Sequence, residues 1–285
     1  MTAMAIHLPD TIDGALRLLA ADPEARLLAG GATLVAMMNA ELVQPSALVS
    51  LRRIAALRGI ERSADGSVRI GAMTRHCDTA RSKDLSGGHA VVREAAAVIA
   101  SPPVRNMGTM GGSVAFADPA ADYLPALVAA DAEVEIVGPG GGRRLSIAEF
   151  LLDWYQTALE PAELIAALHL PAAPRGAVGH YDKLSRVEGD YATASVAVVL
   201  AMSGRACSHI AVAVGACGPK PVRLAEAERA LLGSPLHEGA LSLAGRLLAE
   251  AADPIDDVRS SAEYRRRVIP RLVRRAVRSA AARIA

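Results

Sequence analysis

Aromatic side chains are scarce in this 285-residue chain, which has one Trp, five Tyr and two Phe. The core must therefore be built mainly from Ala, Val, Leu and Ile, and stacking on nucleic-acid bases has few platforms. Lysine is scarcer still. Lys83, Lys183 and Lys220 are the only three among 31 basic residues, and the remainder are arginine. Neither sign of charge is in excess, with 31 basic against 30 acidic residues. A general nucleic-acid binder usually shows a strong basic excess, so that class is excluded as an expectation.

Cysteine is limited to Cys77, Cys207 and Cys217, with no C-x-x-C pair. Three thiols cannot pair off into a disulfide scaffold. Nor can they alone ligate a four-thiolate iron–sulfur cluster or a structural zinc ion. No uninterrupted apolar run is long enough to span a bilayer. The opening stretch carries Asp10 and Asp13 and lacks a basic region before an apolar core, so it does not read as a signal peptide. The expectation is a cytoplasmic protein. Its hydrophobic content of 52% supports a substantial core, in one large domain or two or three small ones.

Pro9-Asp10-Thr11 opens a helix whose apolar residues Ile12, Ala15, Leu16 and Leu19 recur at helical spacing. Short strands are expected at Arg26–Ala29, Val49–Leu51 and Val68–Ala72, and helices at Leu34–Asn39, Val91–Ile99 and Leu124–Ala130. Ser101 to Pro119 is rich in Gly and Pro and reads as one long irregular segment, a kind of stretch that is usually functional. Ala132–Val137 alternates as a strand, and Leu164–Leu170 reads as another that ends at Pro171. Pro171 to Pro174 is a plausible domain boundary. Beyond it, Tyr181–Ser185, Ala194–Met202 and His209–Val214 read as a three-stranded meander, followed by helices. From Ser261 to Ala285, Tyr264, Val268, Leu272, Ala276 and Ala280 recur every four residues. Arg265, Arg266, Arg271, Arg274, Arg275 and Arg278 fill other positions, and Pro270 marks a kink. That basic face could meet a membrane or nucleic acid, but reads rather as a solvated surface or a subunit contact.

Two glycine-rich stretches carry candidate chemistry. Ala29-Gly30-Gly31-Ala32-Thr33-Leu34 sits between a strand and a helix. Glycines there let the backbone approach a phosphate, and exposed N–H groups at a helix start donate to it. The stretch is neither G-x-G-x-x-G nor a P-loop, and Gly-Gly pairs also serve ordinary turns. The second runs Arg105-Asn106-Met107-Gly108-Thr109-Met110-Gly111-Gly112-Ser113 and continues to Asp118, Asp122 and Tyr123. Its carboxylates suit ribose or ribityl hydroxyls rather than phosphates. An elongated ligand with a diphosphate and polyol groups fits both stretches. A buried Gly/Pro loop with Asp118 and Asp122 as caps fits the second equally.

A-G-G-x-T-L, then R-N-x-G-T-x-G-G-x followed by A-D-P-A-A-D, resembles the FAD-binding medium subunit of molybdenum hydroxylases, the carbon monoxide dehydrogenase and xanthine dehydrogenase family. The likeness continues through Lys183–Arg186 with Gly189–Ala192, Val212–Gly215 with Pro219–Pro221, and Tyr264–Arg266. The resemblance implies an α+β fold. A two-part FAD-binding domain of the vanillyl-alcohol-oxidase (PCMH) type would span 1–174, with subdomains of about 1–58 and 59–174. A C-terminal α+β domain with a three-stranded antiparallel sheet and helices would span 175–285. It also implies roles. Ala29, Gly30, Gly31, Ala32, Thr33 and Leu34 match the first pyrophosphate turn, and Thr109, Gly111, Gly112 and Ser113 match the second. Asp122 matches a carboxylate that holds FAD hydroxyls, Lys183 a cation near the ring, and Tyr191 an aromatic beside the isoalloxazine. Ser113 stands where Asn or Asp is usual, and Ala32 where a polar side chain is common.

No catalytic or metal-ligating residue is expected on the chain. The implied partners are a large molybdopterin-binding subunit and a small subunit with [2Fe–2S] clusters, in a dimer of heterotrimers. Electrons would pass to FAD and on to quinone, NAD or oxygen. Two other readings remain open at this point: a stand-alone flavin oxidoreductase, and an assembly subunit that has lost FAD. Seven of the eight aromatics lie between Phe116 and Tyr191, which marks that span for attention.

Overall fold

The computed structural model describes residues 4–284. Ala285, the last residue of the expected terminal helix, lies outside them, as do the first three residues. The chain begins with a small parallel sheet of Ala5–His7, Ala47–Ser50 and Arg26–Leu28, with Ala47–Ser50 in the middle. The helix Ile12–Ala21 crosses between the outer two strands. Its N-cap is Thr11, whose side chain accepts the Gly14 N–H, and it buries Ala15 and Leu16. These meet Val49, Leu51, Ile54 and Leu57 in a compact aliphatic cluster.

A five-stranded antiparallel sheet follows, in the order Ile60–Arg62, Val68–Gly71, Leu164–Leu170, Glu133–Gly138, Gly141–Ser146. Leu164–Leu170 takes the centre, where both faces are covered, which explains its nearly unbroken apolar run. Every residue of the helix Tyr123–Ala129 is buried. Pro125 is tolerated in its first turn, where a backbone N–H has no intrahelical partner to lose.

The expected irregular segment is instead largely helical. Pro102–Met107 starts on two prolines, whose fixed φ suits a first turn. Met110–Phe116 is capped by Thr109, whose hydroxyl oxygen accepts the Gly112 N–H at 3.2 Å. Two helices this short leave no periodicity to read.

The last sheet has four strands rather than three: Val178–Leu184, Ala194–Ser203, Ala206–Gly215 and Val222–Arg223. The fourth has only two residues, paired to Ala213 and Val214, too few to show an alternating pattern. The strand Ala194–Ser203 divides by period two. Ala197, Val199 and Ala201 join the core around Tyr123–Ala129, while Val196, Val198 and Leu200 join the core under the terminal helices. Those helices are Glu238–Ala251 and Ala262–Ala281. They approach so closely at Gly245 that a Cβ there would lie 2.7 Å from the Pro270 Cα. The long helix continues through Pro270. Its buried stripe is Ile269, Leu272, Val273, Ala276, Val277 and Ala280. Tyr264 is exposed and Val268 half-buried, whereas Arg265, expected on the polar side, is 4% exposed. Its guanidinium is buried because it has partners, the Ile255 carbonyl and Asp257.

Candidate functional site: two turns around one cavity

A cavity of about 830 Å³ lies between the small parallel sheet, the five-stranded sheet and the loop before the strand Ala194–Ser203. That size suits a bound small molecule or cofactor, for which pockets of about 300–1,000 Å³ are usual. Twelve of the thirteen residues singled out from the sequence line it: Ala29, Gly30, Gly31, Ala32, Thr33, Leu34, Thr109, Gly111, Gly112, Ser113, Asp122 and Tyr191.

Backbone packing brings the two glycine stretches together. A Cβ on Gly30 would sit 1.9 Å from the Met107 carbonyl oxygen, so only glycine lets the first turn lie against the second. Gly31 has φ +78°, in the left-handed region, and reverses the chain into the helix Leu34–Asn39. Across the gap, Gly112 faces Ala29, since a Cβ on Gly112 would lie 3.6 Å from the Ala29 Cβ.

The two turns offer different donors. Among the described residues, no protein acceptor takes the backbone N–H of Gly30, Gly31, Ala32 or Thr33. The Thr33 hydroxyl makes no capping bond. These groups line the cavity and are unspent. In the second turn the N–H groups are occupied: Met110 donates to Thr74, Gly111 to Ala72, and Ser113 to Thr109. The second turn therefore presents hydroxyls, those of Ser113 and Thr109, and a tight backbone contact at Gly111. A Cβ on Gly111 would stand 2.5 Å from the Ala72 Cβ.

Asp122 occupies the N-cap position of Tyr123–Ala129, yet its side chain makes no capping bond. Its carboxylate is 5% exposed and turns to two partners. The Tyr181 hydroxyl donates to it at 2.7 Å and the Lys183 ammonium at 3.0 Å. Burial pushes the carboxyl up from its ordinary range, and the charge of Lys183 opposes that push. Lys183 is the one candidate that does not line the cavity. Its side chain is 7% exposed, and its ammonium also donates to the Val98 carbonyl at 3.2 Å. Its charge is already spent on Asp122. Asp118, by contrast, lines the cavity and caps a local turn, accepting the Ala120 N–H at 2.9 Å. Burial raises its carboxyl as well.

His76 is a cavity residue that no motif signalled. It follows Arg75 at the start of the helix His76–Arg81, and its Nδ1 lies 3.2 Å from the Tyr123 hydroxyl. Burial, with Arg105 nearby, lowers its imidazole to about 4, so it is neutral at pH 7. Tyr191 borders the cavity and is 40% exposed, which places it at the mouth.

A family model described as the FAD binding domain in molybdopterin dehydrogenase matches residues 2–173. A second, described as the CO dehydrogenase flavoprotein C-terminal domain, matches residues 179–280. The chain belongs to the FAD-binding medium subunits of the molybdenum hydroxylases. It is an oxidoreductase subunit. It is 39% identical to the carbon monoxide dehydrogenase medium chain of Afipia carboxidovorans, over 97% of this chain and 96% of that one. It is 36% identical to the 6-hydroxypseudooxynicotine dehydrogenase complex subunit alpha of Paenarthrobacter nicotinovorans, over 95% and 92%. The fold matches the crystal structure of the Cu,Mo-CO dehydrogenase with a TM-score of 0.94 at 38% identity, covering 98% of both chains. It also matches quinoline 2-oxidoreductase from Pseudomonas putida 86 with a TM-score of 0.93 at 30% identity. The site of this FAD-binding subunit has the donors that such a cofactor needs. Uncommitted N–H groups and a hydroxyl suit a diphosphate, and the carboxylates of buried Asp122 and half-buried Asp118 line the same cavity. No helix among the described residues is long and apolar enough to cross a membrane.

Proposed function

We propose that this chain is the electron-transfer flavoprotein subunit of a heteromeric molybdenum hydroxylase. It would take electrons from [2Fe–2S] clusters on a small partner, fed in turn by a large molybdopterin-binding partner, and deliver them to an external acceptor. The carrying observation is the first turn, where four unspent backbone N–H groups share one cavity with Asp122 and Tyr191. What FAD supplies when bound is a two-electron store that can be filled in single steps and emptied as a pair.

In this reading the residues of the chain divide the binding task. Gly30 through Thr33 hold the diphosphate, with the Ser113 and Thr109 hydroxyls opposite. Asp122 accepts from ribityl or ribose hydroxyls, and Tyr191 covers the ring at the cavity mouth. Lys183 keeps Asp122 in place and its charge balanced, so its influence on the ring passes through that carboxylate. The functional division falls near 174–175, as a FAD-binding part and a C-terminal part. A cytoplasmic dimer of heterotrimers completes the proposal. The relatives are named for different substrates, so substrate choice is assigned to the large partner.

The test is co-expression with a large molybdopterin-binding subunit and a small [2Fe–2S] subunit, followed by rapid mixing with the substrate of the complex. The reading expects flavin bleaching only when the cluster subunit is present. Flavin reduction by substrate in the isolated chain would instead favour a stand-alone oxidoreductase.

A further inference from the structure

We infer that Arg259 is a positioning residue for the flavin site, acting by holding the Tyr191 ring at the cavity mouth. The inference rests on the reading that this cavity holds FAD. The Arg259 guanidinium lies over the Tyr191 ring, 4.8 Å from its centroid. Tyr191 comes from the loop before the strand Ala194–Ser203, and Arg259 from the irregular segment between the two terminal helices. Nothing in the spacing of the sequence links them, since 68 positions separate the two.

The segment that carries Arg259 is not a loose loop. Asp257 organises it: one carboxylate oxygen accepts the backbone N–H of Arg259 at 2.8 Å and of Ser260 at 3.0 Å. The Asp257 N–H returns to the Ser260 carbonyl at 3.1 Å. The same carboxylate oxygen takes the buried Arg265 at 2.8 Å, and Arg265 also donates to the Ile255 carbonyl at 3.2 Å. Arg265 is anchored in the long helix Ala262–Ala281. A buried cation with fixed partners is costly to displace, so the turn it holds is well defined. The other oxygen of Asp257 lies 3.4 Å from the Arg259 guanidinium, which limits where that head can go.

At the other end, the Tyr191 backbone is fixed by Asp190, whose side chain accepts the Tyr191 N–H at 2.8 Å and pairs with Arg186. The Tyr191 hydroxyl turns toward Asp118, and Arg259 covers a face of the ring. Across the mouth, Phe116 lines the cavity and meets Tyr155 edge-on, with centroids 5.3 Å apart. Arg259 therefore packs on one member of an aromatic rim. It also brings a positive charge toward Asp118 in the cavity wall. Arginine suits this work because a planar guanidinium can stack and pair at once, which a lysine ammonium cannot.

The test uses the full chain loaded with FAD, in wild type, Arg259→Ala, Arg259→Lys, Tyr191→Ala and the Arg259→Ala/Tyr191→Ala pair. Flavin release on dilution and iodide quenching of flavin fluorescence are read in each, beside the thermal midpoint of the FAD-free proteins. Loss of one partly exposed cation–π contact predicts about two- to fivefold faster release in Arg259→Ala, with a parallel rise in quenching. Arg259→Lys should fall between Arg259→Ala and wild type, the FAD-free midpoints should stay together, and Arg259→Ala should add nothing on the Tyr191→Ala background. Unchanged release and quenching in Arg259→Ala, or effects that add in the pair, would overturn the inference while leaving the flavin site standing. A wild-type chain that retains no FAD would overturn the reading beneath it.

Discussion

The carboxylate of Asp122 and the ammonium of Lys183 form a buried ion pair at 3.0 Å that ties the helix Tyr123–Ala129 to the strand Val178–Leu184. Removing one member of such a pair strands the other charge away from water. Lys183→Met should therefore cost about 3–5 kcal/mol in urea unfolding of the FAD-free chain. The Asp122→Asn/Lys183→Met pair should lose less than the two single changes together, since neither orphan charge remains. Additive losses would mean the two groups do not interact.

Gly30 is the tightest contact between the two turns. Gly30→Ala places a methyl against the Met107 carbonyl, and overpacking of this kind costs about 1–3 kcal/mol or more. The second consequence is a separation of the turns and a fall in FAD content, read from the ratio of flavin to protein absorbance. Gly142→Ala is the matched control, because its nearest neighbour would be the Ile136 carbonyl at 3.7 Å. It should leave both readouts unchanged. A Gly30→Ala protein with full flavin content would contradict the packing account.

Acid should loosen the join between the sheet Val178–Arg223 and the helix Ala90–Ala97 that packs on it. Burial alone would raise the Glu94 carboxyl, but hydrogen bonds from His180, Arg283 and the Tyr181 N–H outweigh it and hold it at about 2. A carboxyl held below its unfolded value gives stability that is complete above about 4.5 and is lost as pH falls from there to about 2. The amount at stake is on the order of 3 kcal/mol. Denaturant unfolding at stepped pH should show this loss in wild type and much less of it in Glu94→Gln.

His76 bears on a higher window. Its folded imidazole titrates at about 4 against an ordinary 6.5, so the unfolded chain binds the proton first. Stability from this site is full above 6.5 and falls as pH drops toward 4. A histidine titration by NMR on the folded chain should find one imidazole, absent in His76→Asn, that stays neutral through pH 5. A His76 midpoint near 6.5 would contradict its burial beside Tyr123.

Much of the N-terminal half was legible because the local signals were strong. Thr11 as a cap and Leu16 on an apolar stripe define the first helix, and the alternation of Val134 and Ile136 defines a strand. The glycines at positions 30 and 31, between a strand and a helix, marked a turn, but only the wider resemblance tied that turn to a dinucleotide. What the sequence could not display was tertiary choice. The Gly/Pro segment became two short helices once Thr109 found the Gly112 N–H. Arg265 reads as a surface cation until Asp257 is seen beneath it, and Lys183 reads as a free charge until Asp122 is seen to claim it. The clustering of aromatics had more than one cause. Phe116 and Tyr191 line the cavity, Tyr123 and Tyr181 reach His76 and Asp122 with their hydroxyls, and Phe150 is wholly core.

The central claim is that the unspent N–H groups of Gly30 through Thr33 hold a flavin dinucleotide for electron transfer. Its most direct test is equilibrium titration of the purified full-length chain with FAD and, separately, with FMN and riboflavin, followed by flavin fluorescence. The account predicts saturable, equimolar binding of FAD, at least tenfold tighter than riboflavin, which lacks the diphosphate that those donors hold. Equal affinity for all three, or a chain that takes up none of them, would contradict it.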